Sequence, residues 1–378
     1  MNDYSVYVGL DVHKDSIAVA VAANGRDQAH YRGDIANTPT AIKRLLHKLS
    51  PDGEVLGVCY EAGPCGYGIY RQITQMGHDC IVVAPGLIPR KATDRVKTDR
   101  RDALTLARLH RAGELTPVWV PDTEQEAMRD LSRAREDAKA MERRARQRLN
   151  AFLLRHGHVY AGKSRWTQAH FRWLEQVTMA TPTQQIVLQE YIDTVTEAQR
   201  RVASITEHMR RAWPEWSLAP VVEALMALRG ISLVAAMTLL AELGDITRFD
   251  SPTQLMAYLG LVPSEHSSGN SRQQGGITKT GNSHARRILV EAGWAYRFPA
   301  RKSQVIQRRA ERTPPEVQAI AWQAQKRLCG RYRHLLHAGK KPSVVTTAVA
   351  RELAGFIWAI ACEVPLDHAA GVTTAQAV

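Results

Sequence analysis

Short apolar runs separated by turn residues fill the first 115 positions of the chain. SVYVGLDV and SIAVAVA have the pattern of two strands, and HYRGDI, which follows an Asn-Gly turn, predicts a third. TPTAIKRLLHKL has a helical period, with Thr38 as its N-cap and Pro39 at the first helical position. EVLGVCYE and DCIVVA predict buried strands on either side of a helix in YGIYRQITQMG, and DRRDALTLARLHRAG predicts a last helix that ends at Gly113.

This order of elements predicts a mixed α/β domain over residues 1–115. Three antiparallel strands followed by alternating helix and strand are typical of an RNase H-like sheet. In that architecture, acidic residues from the first strand, the fourth strand and a late helix converge. In this sequence they are Asp11, Glu61, Asp99 and Asp102.

The middle of the chain, residues 116–215, begins with a Pro-containing linker and then becomes helical. Residues 123–157 are strongly basic, and residues 183–212 carry apolar side chains at alternating steps of three and four. That spacing is a heptad seam, so the two segments predict an antiparallel coiled-coil hairpin, with two ordinary helices of an all-α domain as the alternative. The arginine-rich flank is suited to a phosphate backbone, although a solvated charged face is an equally good interpretation. The seam consists of Leu188, Tyr191, Val195, Ala198, Val202, Ile205 and Met209.

Residues 216–364 predict a compact helical domain, followed by a disordered tail over 365–378. Two apolar helical runs meet at Arg229-Gly230-Ile231, which resembles a helix-hairpin-helix element but fits a plain helical hairpin as well. A polar loop from Ser264 to Asn282 leads to a helix capped by Ser283. The apolar run GFIWAIAC is too short to span a membrane, and no signal segment precedes the first strand, so we expect a soluble cytoplasmic protein.

The charge balance narrows the choice of partner. Net charge is +13 with an isoelectric point near 9.7, which favours a polyanion such as nucleic acid over an ordinary basic enzyme. The five cysteines show no CxxC and no paired spacing, which argues against a zinc site and against a disulfide framework.

Four acidic residues are the strongest chemical signal. Asp11 and Glu61 end apolar strand-like runs. Asp11 alone would mean little, but a carboxylate at Glu61, in an otherwise apolar strand, is costly unless it is paired or bound to metal. Asp99 and Asp102 are three residues apart on a predicted helix and therefore share a face. Each has a simple structural interpretation, as a turn acid or an acid at a helix N-terminus. Together they predict a divalent-metal site for phosphoryl transfer.

A serine-rich segment, SEHSSGNSRQQGGITKTGN, supplies a second candidate site. It offers a serine nucleophile beside cations that can hold a phosphate, namely Lys279, Arg286 and Arg287. The alternative is a flexible surface loop whose charges need no function. No catalytic triad can be assigned, because a nearby histidine such as His266 is more often incidental.

Four blocks carry a family resemblance: LDVHKD, YEAG, KTDRRDA and YLGLVPSEHSSG…GGITKTGN…ARRILVEA. In this order they resemble the transposases of the "one-ten" class of insertion sequences, whose relatives include the Piv/MooV DNA invertases. The resemblance covers nearly the whole chain. One departure is EAGP in place of the commoner EATG after the fourth strand.

The resemblance implies a RuvC-like N-terminal domain with a DEDD metal site formed by Asp11, Glu61, Asp99 and Asp102, and a C-terminal transposase domain with a serine that attacks DNA. The serine before the motif glycine, Gly269, is Ser268, with Ser267 adjacent to it. The expected cofactor is Mg²⁺, with Mn²⁺ as the alternative.

The resemblance also implies partners: donor and target DNA, a non-coding bridge RNA, and dimers that assemble into tetramers in a prokaryotic cytoplasm, associated with the nucleoid when active. Three other interpretations stay open. They are a RuvC-like junction nuclease that uses water, a protein-only DNA invertase, and a non-catalytic nucleic-acid-binding protein.

Overall fold

The computed structural model describes residues 4–89, 98–268 and 271–366, which fall into two compact units divided after residue 120. The predicted tail from residue 367 onward and Gly269 lie outside the described residues. The helical pair in the middle of the chain and the C-terminal helices belong to the same unit. The three-part division of the sequence analysis stays a prediction.

The N-terminal unit is built on a five-stranded sheet in the order β3-β2-β1-β4-β5. Strands β1, β2 and β3 pair antiparallel, whereas β4 and β5 run parallel to β1. The predicted mixed α/β architecture is confirmed. Its elements are β1 (Val6–Val12), β2 (Ser16–Ala23), β3 (His30–Ala36), α1 (Pro39–Leu49), β4 (Gly57–Glu61), α2 (Gly68–Gln75), β5 (Asp79–Val83) and α3 (Asp99–Arg111).

Helices cover both faces of this sheet, so its central strands are buried on both sides. Val8 and Leu10 of β1 belong to the apolar cluster that includes Ile42 of α1. Tyr7 belongs to the opposite cluster, with Ala103 and Ala107 of α3. Side chains alternate along a strand, so the odd-numbered residues of β1 face α3.

His110, near the end of α3, makes the stability of this unit depend on pH. Its ring packs edge-on against Tyr7, with 5.4 Å between ring centroids, and its Nε2 is buried without a hydrogen-bond partner among the described residues. Burial lowers the pKa of His110 to about 4. The unfolded chain, with an ordinary histidine pKa, takes up a proton at a higher pH than the folded chain does.

We therefore expect His110 to remove about 3 kcal/mol from the stability of the N-terminal unit as pH falls from the unfolded value of 6.5 to about 4. Above the unfolded pKa the histidine is neutral in both states and contributes no pH dependence. His110→Phe keeps the ring packing and should flatten this part of the curve, measured by urea unfolding at a series of pH values. An unchanged curve in the variant contradicts the assignment.

The C-terminal unit is helical apart from one hairpin, as predicted in its main features. The two long helices α4 and α6 run antiparallel, since Arg135 of α4 bonds Thr206 of α6 while Phe152 contacts Tyr191. The predicted helical pair is confirmed, and the supercoil stays a prediction. The elements are α4 (Thr123–Arg155), α5 (Gln168–Gln176), α6 (Pro182–Ala212), α7 (Ala219–Leu225), α8 (Leu233–Leu243), α9 (Pro252–Tyr258), β6 (Pro263–Ser268), β7 (Ser271–Ile277), α10 (Ser283–Gly293), α11 (Gln304–Ala310), α12 (Pro315–His337) and α13 (Pro342–Cys362).

Helix α13 is longer and more apolar than the sequence analysis recognised. It has 21 residues, and an 18-residue window within it has a mean hydropathy of 1.5, so by length and composition it could span a membrane. The expectation that the apolar run here is too short, which counted only GFIWAIAC, is wrong. Half of that apolar window is buried within the protein, and Val345, Val349 and Leu353 belong to the main core cluster. The core position explains the apolar composition of the helix.

The predicted loop from Ser264 to Asn282 is wrong as far as Ile277, because β6 and β7 form an antiparallel hairpin there. Most of the side chains of this hairpin that are described are exposed. An exposed hairpin with two polar faces has no alternation of apolar and polar residues, so the strand signal is absent from the sequence.

Candidate metal centre and serine hairpin

The sheet register brings Asp11 and Glu61 next to each other. β1 and β4 are parallel neighbours with Leu10 opposite Tyr60, so the next residue of each strand is an acid. Tyr7 of β1 and Cys59 of β4 pack on the side of the sheet that α3 covers. Asp11 and Glu61 lie an even number of residues further along the same strands, so their side chains face α3 as well. Two carboxylates therefore lie at the carboxyl ends of adjacent strands, on one face of the sheet.

Helix α3 begins over the same corner of the sheet. Thr98 caps it by accepting a bond from the Arg101 backbone N–H, which leaves Asp99 and Asp102 in the first turn. Ala103 and Ala107, further along the helix, pack on the sheet. Residues three and four apart share a helix face, so Asp99 and Asp102 continue the sheet-facing side of α3 beyond its apolar part.

Gly9 sets the distance between α3 and the sheet. A Cβ at Gly9 would lie 2.4 Å from the backbone nitrogen of Ala107 and 2.5 Å from the carbonyl oxygen of Ala103. Both neighbours are backbone atoms of the helix and cannot rotate away. The glycine in VGLDV therefore allows α3 to approach the strand that ends in Asp11.

We expect Gly9→Ala to destabilise the N-terminal unit by at least about 1–3 kcal/mol, because the added methyl group overpacks the sheet against α3. The same displacement moves Asp99 and Asp102 and should weaken Mn²⁺ binding, measured by calorimetry beside urea unfolding. Gly68→Ala is the matched control, because its Cβ meets nothing within 4 Å. Equal effects of the two substitutions would contradict the role of Gly9.

His13, which the sequence analysis did not select, lies between two of the acids. Its Nε2 is 3.4 Å from Oδ2 of Asp11 and 3.4 Å from Oδ2 of Asp99. One ligand atom from each of these three residues lies within 4.8 Å of the others. The only hint in the sequence is the spacing, since His13 is two positions beyond Asp11.

The acids influence each other electrostatically. Burial raises the pKa of the Asp11 carboxyl above its ordinary value, the His13 ring opposes the rise, and the Asp102 and Asp99 carboxylates add to it. The like charges at this corner repel one another, and a cation among them relieves that repulsion.

The three-residue cluster contains neither Glu61 nor Asp102. The structure therefore brings Asp11 and Asp99 together through His13. Asp102 is close enough to influence the charge of Asp11. Glu61 lies beside Asp11 because of the register between β1 and β4. Two carboxylates and an imidazole around one point are a donor set that fits a divalent cation.

The serine hairpin belongs to the C-terminal unit. Ser268 is the last residue of β6 and pairs with Ser271, the first residue of β7. Its side chain is exposed and makes no hydrogen bond within the part of the chain that the structure describes. Ser267 differs, because its hydroxyl donates to Oε1 of Glu265 at 2.8 Å.

Two parts of the fourth sequence block, YLGLVP and KTGN, meet at the base of this hairpin. A Cβ at Gly260 would lie 2.3 Å from the carbonyl oxygen of Thr280, and one at Gly281 would overlap the carbonyl oxygen of Tyr258. The backbone N–H of Lys279 also donates to the Gly260 carbonyl. The YLGLVP and KTGN blocks therefore form one packed support for β6 and β7.

Two of the predicted phosphate-binding cations have bonds within the protein. Arg286 donates to the carbonyl oxygens of Leu259 and Thr280, which ties α10 to the hairpin support. Arg287 pairs with Glu136 of α4 and with Glu291. Lys279 is exposed and has a positive φ of 57°. Nucleic-acid binding by these three residues stays a prediction.

Asn282, rather than the predicted Ser283, caps α10. Its Oδ1 accepts from the backbone N–H of Ala285, and its Nδ2 donates to Glu242 at 2.7 Å. Glu242 is buried and receives two further bonds from Arg133 of α4. Burial alone raises the pKa of Glu242, but the bonds from Arg133 and Asn282 outweigh it and hold the pKa below its usual value. The KTGN block is thus linked to the long helix.

Comparison with known proteins finds two family matches and several similar proteins. A transposase family described as IS116/IS110/IS902 matches residues 222–307, and a DEDD transposase domain matches residues 8–157. The chain is 52% identical over 363 residues to y4qE of Sinorhizobium fredii, a protein named as a transposase, covering 96% of this chain and 90% of that protein. It is 31% identical over 339 residues to the transposase for insertion sequence element IS1533 of Leptospira borgpetersenii, covering 89% and 98%. A pilin gene-inverting protein of Moraxella bovis is 28% identical over 202 residues, covering 52% of each chain.

Proposed function

The chain belongs to the IS116/IS110/IS902 family of transposases, and from this premise we propose that it cuts and rejoins DNA strands through a covalent phosphoserine intermediate. The observation that carries the proposal is the convergence of strand-end and helix-start acids at one corner of the sheet. The exposed Ser268 on a braced hairpin supplies the nucleophile.

A DEDD transposase domain implies a divalent metal, and the donor set fits one. We assign Asp11, Glu61, Asp99 and Asp102 as ligands, with His13 as an additional nitrogen donor. The ion is Mg²⁺, with Mn²⁺ as the alternative. When bound, the ion polarises the scissile phosphate and stabilises charge on the leaving oxygen. The N-terminal unit in this proposal is an RNase H-like domain of the RuvC type, consistent with its sheet order.

Ser268 has the chemical role of a nucleophile that transiently carries the phosphoryl end of the cut strand. Its Oγ attacks phosphorus and loses its proton, the O–P bond forms, and the bond from phosphorus to the 3′-oxygen breaks, with that oxygen leaving as a 3′-hydroxyl. In the second step a new 3′-hydroxyl attacks the phosphoserine and the serine hydroxyl is restored. The phosphodiester energy is conserved in the intermediate, so rejoining needs no nucleotide cofactor.

We further propose that a structured non-coding RNA pairs with donor and target DNA, and that dimers assemble into tetramers inside a prokaryotic cell. The test is sequencing of RNA that co-purifies with the full chain from cells carrying its own locus. A discrete RNA encoded beside the gene supports guided recombination. If active protein carries only background RNA, the proposal of a guide RNA is overturned.

The pilin gene-inverting relatives favour one second candidate, a site-specific invertase that acts without RNA. It uses the same serine and the same acids. Recombination of an invertible segment by protein freed of RNA would support this candidate, whereas a requirement for added RNA would exclude it.

His13 gives a prediction about metal preference. Imidazole nitrogen suits Mn²⁺ better than Mg²⁺, which prefers oxygen ligands. We expect His13→Ala to weaken Mn²⁺ binding about 10-fold and to change Mg²⁺ binding little. Mn²⁺ electron paramagnetic resonance measures the first and magnesium competition the second. His30→Ala, an exposed histidine of β3, is the control. Equal losses for both metals would contradict the preference, and unchanged Mn²⁺ binding would contradict a ligand role.

A further inference from the structure

A small cavity lies between the end of α4, the segment that follows it and α5, and it shares no residue with the acid cluster or the serine hairpin. Its volume is about 170 Å³, below the roughly 300–1,000 Å³ of sites that enclose a whole small molecule. It therefore fits one fragment of a larger ligand. The wall includes Leu154, Val159, Tyr160, His170 and Trp173.

The cavity wall is aromatic and includes an unpartnered polar atom. His170 is 1% exposed, and its Nδ1 has no hydrogen-bond partner among the described residues. The Trp173 ring stacks on His170 with 5.6 Å between centroids, and Tyr160 meets the same ring edge-on at 4.7 Å. Burial, with a smaller effect of Arg165, lowers the pKa of His170, so the neutral ring offers one donor and one acceptor.

The rim of the cavity exposes apolar surface. Leu154 and Val159 are 68% and 62% exposed although both are large aliphatic side chains. A ligand with flat apolar faces and polar edges matches this combination of rings, aliphatic rim and buried nitrogen. Nucleobases have both properties, and they stack on aromatic side chains in sequence-tolerant binding sites.

The segment that forms the cavity is rich in cations. Residues 143–174 include eight lysines and arginines and neither aspartate nor glutamate. Arg165 is in the cavity wall itself. Asn150 lines both the cavity and a larger groove of about 620 Å³ beside α4, which Arg143 and Arg146 also line. Three glutamates line this groove as well, and one of them, Glu142, pairs with Arg146. A phosphate chain leaving the cavity meets cations, as binding of single strands requires.

We propose that this cavity binds one unpaired base of a single-stranded nucleic acid. The base lies against Tyr160 and Trp173, its polar edge bonds Nδ1 of His170, and the basic surface of residues 143–174 holds the neighbouring phosphates. The site recognises the flat base and the phosphate chain, which RNA and single-stranded DNA share.

The test uses the full-length protein with labelled short single strands of RNA and of DNA of one sequence, at fixed salt, followed by fluorescence anisotropy. Leu154→Glu places a charge on the rim, and its exposure means that folding should be unaffected. We expect it to weaken binding by about 5- to 150-fold, the range for loss of a stacked base. Ile186→Glu, at 64% exposed and outside the cavity wall, adds the same charge and should have little effect.

Equal weakening by the two glutamates would overturn the proposal, because charge alone would then explain binding. So would equal affinity for a strand with abasic sites, which keeps the phosphates and removes the bases, or for a duplex of the same sequence. If Leu154→Glu weakens binding and Ile186→Glu does not, the pocket is supported. A difference in affinity between RNA and DNA then identifies which kind of strand the pocket prefers. Photo-crosslinks from iodo-substituted bases should map to Tyr160 or Trp173, and crosslinks only elsewhere would contradict the site.

Discussion

Ser268→Ala is expected to abolish the covalent protein–DNA adduct and to reduce strand exchange by about 10³-fold or more, as removal of a nucleophile does in other covalent enzymes. The physical reason is that no other group on the described part of the hairpin has the same position, at the exposed end of β6. The adduct is measured by denaturing electrophoresis after reaction of labelled DNA with the full chain and divalent metal.

Ser267→Ala is the matched control. Its hydroxyl is held by Glu265, and along an extended strand adjacent residues point to opposite faces. The control variant should therefore keep the adduct and most of the strand exchange. An adduct that survives Ser268→Ala and disappears in Ser267→Ala would move the nucleophile by one residue. An adduct present in both variants would refute the phosphoserine intermediate.

Asp11→Asn has the second large expected effect. The substitution keeps the size of the side chain and removes the charge at the centre of the acid cluster, where Asp99 is a neighbour through His13. We expect strand exchange to fall by about 10²- to 10³-fold, and Mn²⁺ binding measured by calorimetry to weaken in parallel. The binding measurement is independent of catalysis.

Asp15→Asn is the control for charge, since Asp15 is an exposed acid at the turn after β1 and is outside the cluster. It should bind metal and exchange strands as the parent does. Full activity of Asp11→Asn in Mg²⁺ would refute the metal assignment. Loss of activity with unchanged Mn²⁺ affinity would assign Asp11 to DNA contact instead.

The order of helices and strands in the N-terminal unit was open to prediction because each element has a strong local signal. Short apolar runs between turn residues mark most of the strands, and Thr38 caps α1 as expected. The register between β1 and β4 has no such local signal, because it depends on packing against helices from other parts of the chain. The role of Gly9 follows from that packing, as does the position of His13, which lies on an exposed turn beside Asp11 and Asp99.

The C-terminal unit shows the same limit. The heptad spacing of Leu188, Val195 and Met209 predicted which side of α6 is buried, and all three side chains are buried. The hairpin was missed, because an exposed strand with polar residues on both faces lacks the alternation that reveals a strand. The support formed by Gly260 and Gly281 consists of backbone contacts between segments that are separated along the chain, and no local sequence signal reveals such contacts.

By itself, the sequence determined the types of most helices and strands and the basic character of the protein, since these depend on local period, composition and residue type. It also predicted the four acids and the serine as site residues. The tertiary structure decided which groups are neighbours. Asp11 lies beside Glu61 because two parallel strands pair in one register, and Asp99 joins them because a glycine lets α3 approach. Such contacts join residues far apart along the chain, and only the folded backbone specifies them.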